Sequence, residues 1–162
     1  MTDGTLWFAI QNFLGKEAHY LDARQWDEWL DLYDSEAEFW VPAWLDDETT
    51  TTDPTRQVSL IYCDRRGLGE RVFRVREGRS AASIPFPRTC HFVNLLSIEE
   101  IGTEFHVRTS WSVNSYIRET TVNYYGSAHY KLIDADGSFR IRSKKVTLIN
   151  DITDTLMDFY SI

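Results

Sequence analysis

Residues 104–133 constrain the fold more than any other stretch. Phe105, Val107, Thr109, Trp111 and Val113 alternate with His106, Arg108, Ser110 and Ser112, and Val122, Tyr124, Gly126, Ala128, Tyr130 and Leu132 repeat the same period of two. That period is the mark of an extended strand with one buried face. Long strands joined by short breaks pair antiparallel, in a strongly curved sheet. The turn Asp134-Ala135-Asp136-Gly137 leads into residues 138–149, where the phase slips: Phe139 and Ile141 are odd, Val146 and Leu148 even. The slip predicts a β-bulge near Ser143–Lys145. Residues 92–101 read as a further strand, closed by Gly102.

The first part of the chain has a different period. Leu6, Ile10, Phe13, Leu14, Ala18 and Leu21 recur at steps of three and four, giving one apolar helical stripe. Asp22 reads as the N-cap of a second helix, with Gln25 as its capping-box partner. Trp26, Trp29, Leu30 and Tyr33 form that helix's stripe. Ala37–Val41 reads as a short strand stopped by Pro42, residues 43–57 as an exposed acidic, Thr-rich loop, and Val58–Tyr62 as another short strand. Residues 67–82 read as a helix ended by Pro85 and Pro87.

Helices followed by a long antiparallel meander make an α+β layout. No repeat or low-complexity linker divides the chain, so 1–162 reads as a single domain. The helices are expected on one concave face of a curved, mainly antiparallel sheet. That is a cone with room for a cavity, as in nuclear-transport-factor-2-like (cystatin-like) domains.

Charge narrows the possible partners. The chain has 25 acids against 17 Lys and Arg, a net charge of −8. Nucleic acid is not expected as a partner, because phosphate binding requires a basic face. The charge is also uneven. Residues 1–54 carry 13 acids and only Lys16 and Arg24, whereas residues 64–91 carry seven Arg against three acids. An acidic front and a basic middle suit pairing with another subunit or another copy; they suit mutual neutralisation within the chain equally well. The two cysteines, Cys63 and Cys90, fit reduced thiols. The opening MTDGTLWFAIQNF lacks the features of a signal peptide, and no stretch has the apolar length to span a bilayer. The reading is cytoplasmic, with no membrane partner.

No motif supplies chemistry. The paired Cys-x-His and Cys-x-x-His segments of a Rieske cluster are missing, as are G-x-S-x-G, the P-loop and G-x-G-x-x-G. His19, His91, His106 and His129 are scattered over a helix, a turn and two strands, which gives no shared metal site. One alternative stays open: a stand-alone cone-fold isomerase or dehydratase of a small cyclic substrate, with His129, Tyr124, Tyr33 or Asp34 facing the cavity. Against it, His129 is out of phase with Tyr124, Ala128 and Tyr130, and so belongs on the outer face.

Several segments resemble one family. EAHYLDARQWDEWLDLYDSEAEFWVPAW (17–44), DPTRQVSLIYCDRRGLGERVFRVREGRSAASIPFPRTCHFVNLL (53–96) and KKVTLINDITDTLMDFYSI (144–162) are similar, in order, to the β (small) subunits of Rieske-type aromatic-ring-hydroxylating dioxygenases. The P-A-W strand and the D-F-Y-x-I ending look most like the benzoate, toluate and anthranilate members, and YYGSAHYKL (124–132) leans toward anthranilate. The resemblance implies a structural, non-catalytic subunit with no catalytic, cofactor-binding or metal-binding residues and no cofactor in this chain. It implies a partner α (large) subunit that holds the Rieske [2Fe–2S] cluster and the mononuclear Fe(II). It also implies an α3β3 hexamer on a β trimer, with a reductase supplying NADH-derived electrons. Arg71, Arg74, Arg76, Arg79 and Arg88 are the candidate interface residues, because arginine is the basic residue favoured at contacts.

Overall fold

Residues 4–80, 83–152 and 156–162 are described by a computed structural model. Helix α1 (Gly4–Asp22) buries Ile10, Phe13, Leu14 and Leu21, the stripe expected from its spacing. Helix α2 (Trp26–Leu30) is one turn long and buries Trp26, Trp29 and Leu30. The corner between them is not built on an Asp22 cap. The residue preceding α2 is Gln25, which makes no side-chain cap, and Arg24 takes the turn at φ 57°. Asp22 remains helical and spends its carboxylate on a later strand.

Six strands follow the order β2-β1-β6-β5-β4-β3: β1 (Tyr33–Pro42), β2 (Ser59–Asp64), β3 (Arg88–Ile101), β4 (Glu104–Ile117), β5 (Thr120–Ala135) and β6 (Ser138–Leu148). Every pairing is antiparallel except β1–β6, which is parallel. The parallel pair arises because β1 enters from the helices and lies beside the last strand, next to the meander rather than within it. β1 starts earlier than its apolar run suggested and includes Pro42, whose register shift lies at the end of the pairing. The bulge in β6 falls at Arg142: Ile141 pairs with Leu132 and Ser143 with Lys131, so the slip is slightly upstream of Ser143–Lys145. Where the β5–β6 ladder ends, Gly126 lies so close to β6 that a Cβ there would overlap the carbonyl oxygen of Thr147.

Helix α3 (Arg65–Arg76) starts and stops earlier than the 67–82 reading. Asp64 caps it by accepting the Gly67 N–H at 2.8 Å. Gly78, at φ 64°, ends it before the prolines act. Residues 81–82 of that reading lie outside the described residues. The 43–57 loop is mostly exposed, but it is anchored. Trp44 Nε1 donates to the Leu148 carbonyl at 2.7 Å, and Thr51 is buried where its N–H reaches the Ala43 carbonyl.

The core lies between α1, α2 and the concave face of the sheet. Phe159 stacks on Trp29 at 4.7 Å, and Phe159, Tyr160 and Ile162 are buried. The 156–162 segment therefore closes one end of the cone. The result is a nuclear-transport-factor-2-like cone, the architecture expected from the sequence.

Candidate functional site: the polar interior of the cone

Helical spacing lowers Glu17 of α1 into the concave face, one turn after Phe13 and Leu14 and one turn before Leu21. On the sheet side, alternation turns Tyr130 of β5 inward. The Arg142 bulge puts Lys144 into the same inward phase as Val146 and Leu148. The four polar groups meet: Lys144 Nζ donates to Glu17 Oε1 at 2.8 Å, Tyr33 to Oε1 at 3.0 Å and Tyr130 to Oε2 at 2.9 Å. The Glu17 and Lys144 side chains are 3% and 5% exposed, so this ion pair lies fully in the interior. Burial alone would raise the Glu17 pKa. The Lys144 ammonium and the three hydrogen bonds outweigh it and hold the carboxyl below its ordinary value. Burial, and then the Glu17 charge, drive Tyr33 and Tyr130 well above theirs, so both phenols stay protonated donors.

A second polar pair stands beside the first. Asp22, at the end of α1, accepts Thr89 Oγ1 at 2.9 Å, the His91 N–H at 2.9 Å and His91 Nδ1 at 2.5 Å. Burial pushes the Asp22 pKa up, but hydrogen bonds from His91 and Thr89 hold it below its ordinary value. His91 is therefore not a turn residue: it faces inward from β3, opposite Val113. Together these groups tie the end of α1 to the sheet.

The space they enclose is small. Glu17, Leu21, His91, Trp111, Tyr130 and Lys144 are among the residues around a cavity of about 20 Å³. A single water needs about 10–15 Å³, whereas small-molecule sites run to about 300–1,000 Å³. Glu17, Lys144, Tyr33 and Tyr130 are bonded to one another, as are Asp22 and His91, around a void that fits one water and no ring; His91 Nε2, on the ring of a cavity-lining residue, is buried without a partner.

The residues considered for a cavity enzyme come out differently. Tyr33 is in the network and Tyr124 is buried in the core. Asp34 lies 3.5 Å from Arg142, away from the cavity lining. His129 is on the outer face beside His106, their rings 5.3 Å apart, as its phase required. Sequence reasoning missed Glu17, Lys144, Asp22 and His91 as a set. Glu17 had a visible signal, an acid in register with an apolar stripe, and Lys144 shared the even phase of Val146 and Leu148. Among the described residues, no three His, Cys, Asp or Glu side chains gather to hold a metal.

The five arginines make different local contacts. Arg71 Nη1 binds Asp158 Oδ1 at 2.9 Å and Arg76 Nη2 binds Asp27 Oδ2 at 2.8 Å, so these two neutralise the chain's own acids. Arg79 and Arg88 lie over the Phe73 and Tyr116 rings, and Arg74 is exposed.

A family model described as "Ring hydroxylating beta subunit" matches residues 16–155. The chain belongs to the ring-hydroxylating β-subunit family. It is 42% identical to the 2-halobenzoate 1,2-dioxygenase small subunit of Burkholderia cepacia, over 93% of this chain and 92% of that one. It is 40% identical to the benzoate 1,2-dioxygenase subunit beta of Acinetobacter baylyi, over 94% and 92%. Among solved structures, the beta subunit of the benzoate 1,2-dioxygenase from Burkholderia mallei is 38% identical, covers 94% of this chain and 95% of that chain, and superposes with a TM-score of 0.76.

Two predictions follow from the interior. Lys144→Met leaves the Glu17 carboxylate buried without its cation and should lower stability by about 3–5 kcal/mol. Adding Glu17→Met should recover most of that loss, both read by urea unfolding. The second concerns acid. A carboxyl whose folded pKa lies below its unfolded value contributes stability that is present above the unfolded value and lost as pH falls through the folded one. Stability should therefore fall below about pH 4, the ordinary carboxylate range. Asp22→Asn should flatten that fall, as measured by unfolding free energy against pH.

Proposed function

We propose that this chain is the structural, non-catalytic β subunit of the oxygenase component of an aromatic-ring dioxygenase acting on benzoate- or anthranilate-type acids. Two things support the reading: family membership over most of the chain, and an interior whose ionisable groups are bonded to each other around a one-water cavity. The second carries the assignment of role. Among the described residues, the cavity between Glu17, His91 and Tyr130 has no volume for a cyclic substrate, which also weighs against a stand-alone isomerase or dehydratase.

In this reading the Rieske [2Fe–2S] cluster and the mononuclear Fe(II) belong to a large α subunit, and a reductase delivers electrons to it. The assembly is an α3β3 hexamer in the cytoplasm, with the β chains as its trimeric base. Residues 1–162 act as one domain, with no catalytic, cofactor-binding or metal-binding residues. A rigid base of this kind keeps neighbouring α subunits in register, which fixes the distance their electrons must cross. Of the arginine candidates, Arg74, Arg79 and Arg88 remain for subunit contacts, since Arg71 and Arg76 are held by Asp158 and Asp27.

Co-expression with a large subunit bearing the Rieske Cys/His pairs tests the reading. The two chains should co-purify and together oxidise benzoate or anthranilate. The pair Arg74→Glu and Arg79→Glu should reduce the recovered large subunit several-fold while leaving the circular dichroism of this chain unchanged. A wild-type chain that never co-purifies with the large subunit would refute the reading.

A further inference from the structure

The outer face of the sheet, turned away from the helices, is laid out in rows. Cross-strand register puts Phe92, Ser112 and Tyr125 side by side. The next outward row is Asn94, Ser110, Ser127 and Thr147, and the one after it is Ser97, Arg108, His129 and Lys145. Phe92 and Tyr125 are 54% and 47% exposed. Phe92, Asn94, Ser110 and Ser112 border an open groove of about 390 Å³. An apolar wall, a floor of small hydroxyls and a charged margin are the anatomy of a contact surface.

The margin carries cations without carboxylate partners, Lys145 resting over the Trp40 ring at 4.6 Å. Among the described residues Arg71, Arg76 and Arg142 each bind a carboxylate of this chain, whereas Arg108, Lys131 and Lys145 form no ion pair. The nearby acids Glu99 and Glu104 flank His106, in the row beyond. Cations left together in a chain of net charge −8 are a site for something acidic.

This chain carries a patch of the matching kind. Leu45, Ile149 and Ile152 are exposed, and with Asp46, Asp47 and Asp151 they border a second open groove of about 540 Å³. The loop is preformed. The Asp46 carboxylate accepts the Glu48 N–H at 2.8 Å, the Thr49 N–H at 2.7 Å and the Thr49 hydroxyl at 2.9 Å, and Trp44 bridges to Thr50. An apolar side chain ringed by acids on a fixed loop needs little ordering to dock.

We propose that these two patches meet between copies of this chain: Leu45 of one copy seats against the Phe92–Tyr125 wall of the next, and Asp46 and Asp47 face Arg108 and Lys145. The patches are different surfaces, so the contact is heterologous, the kind that closes into rings. The inference rests on the trimeric base proposed above and names the surfaces that build it.

The test is a charge swap read by sedimentation velocity at low and moderate salt, with circular dichroism confirming that each variant is folded. Wild type should self-associate, more weakly as salt rises. Arg108→Glu with Lys145→Glu, and separately Asp46→Lys with Asp47→Lys, should each weaken association by at least about 100-fold, since like charges across an interface cost several kcal/mol. All four substitutions in one chain restore opposite signs and should restore the assembly. Persistent association in either pair alone, failure of the four-fold variant to recover, or a wild type that stays monomeric would each overturn the proposal. Co-purification with the large subunit, measured in parallel, separates this from the functional reading. If Arg108→Glu with Lys145→Glu leaves self-association intact but loses the large subunit, the face belongs to that partner and the proposal fails while the β-subunit role stands.

Discussion

The buried bond between Glu17 and Lys144 sets the terms for the rest of the cone. A carboxylate and an ammonium out of water are costly unless each is fully satisfied. Their geometry therefore fixes which face α1 lays on the sheet, how far along it sits, and where β6 must bulge so that Lys144 turns inward. Tyr33 and Tyr130 complete the shell around Glu17 from β1 and β5. One polar centre thus ties α1 to three strands. The Asp22–His91 pair adds β3 to the same clasp.

An interior organised in this way has consequences for function. Acid–base chemistry in a cone needs a side chain with an open partner and room for a substrate. Here the Glu17 and Asp22 carboxylates are drawn below their usual range by bonds inside the chain, the Tyr33 and Tyr130 phenols are held as donors, and the cavity beside them fits one water. The polar residues hold elements together, and the surfaces left over are the ones able to act on other molecules. Those surfaces are separated by charge: acids on the front loop, unpaired cations on the outer sheet.

Much of this was visible in the sequence, for physical reasons that can be named. A period of two over some thirty residues leaves few folds open, and the α1 stripe and the inward faces of β4 and β5 appear as their spacing required. The outward position of His129 followed from phase alone. Other features depend on partners distant in sequence. Asp22 has the composition of a cap, but Thr89 and His91 claim its carboxylate, and no local pattern signals a bond across 69 residues. Gly78 ended α3 ahead of the prolines because a left-handed C-terminal residue acts locally. The Arg-rich stretch left two uses open in sequence, contact with another subunit or neutralisation of the chain's own acids, and in the fold Arg71 binds Asp158 and Arg76 binds Asp27. Arg108, Lys131 and Lys145, which form no ion pair among the described residues, lie on separate strands and come together only once the sheet is assembled.

The central claim is that this polypeptide contributes form and adhesion while iron and oxygen are handled by another chain. The most direct measurement is the iron content and aromatic-acid turnover of the purified chain alone. The account predicts a colourless protein with no stoichiometric iron and no turnover of benzoate or anthranilate. Stoichiometric iron ligated by this chain, or product formed by it unaided, would contradict it.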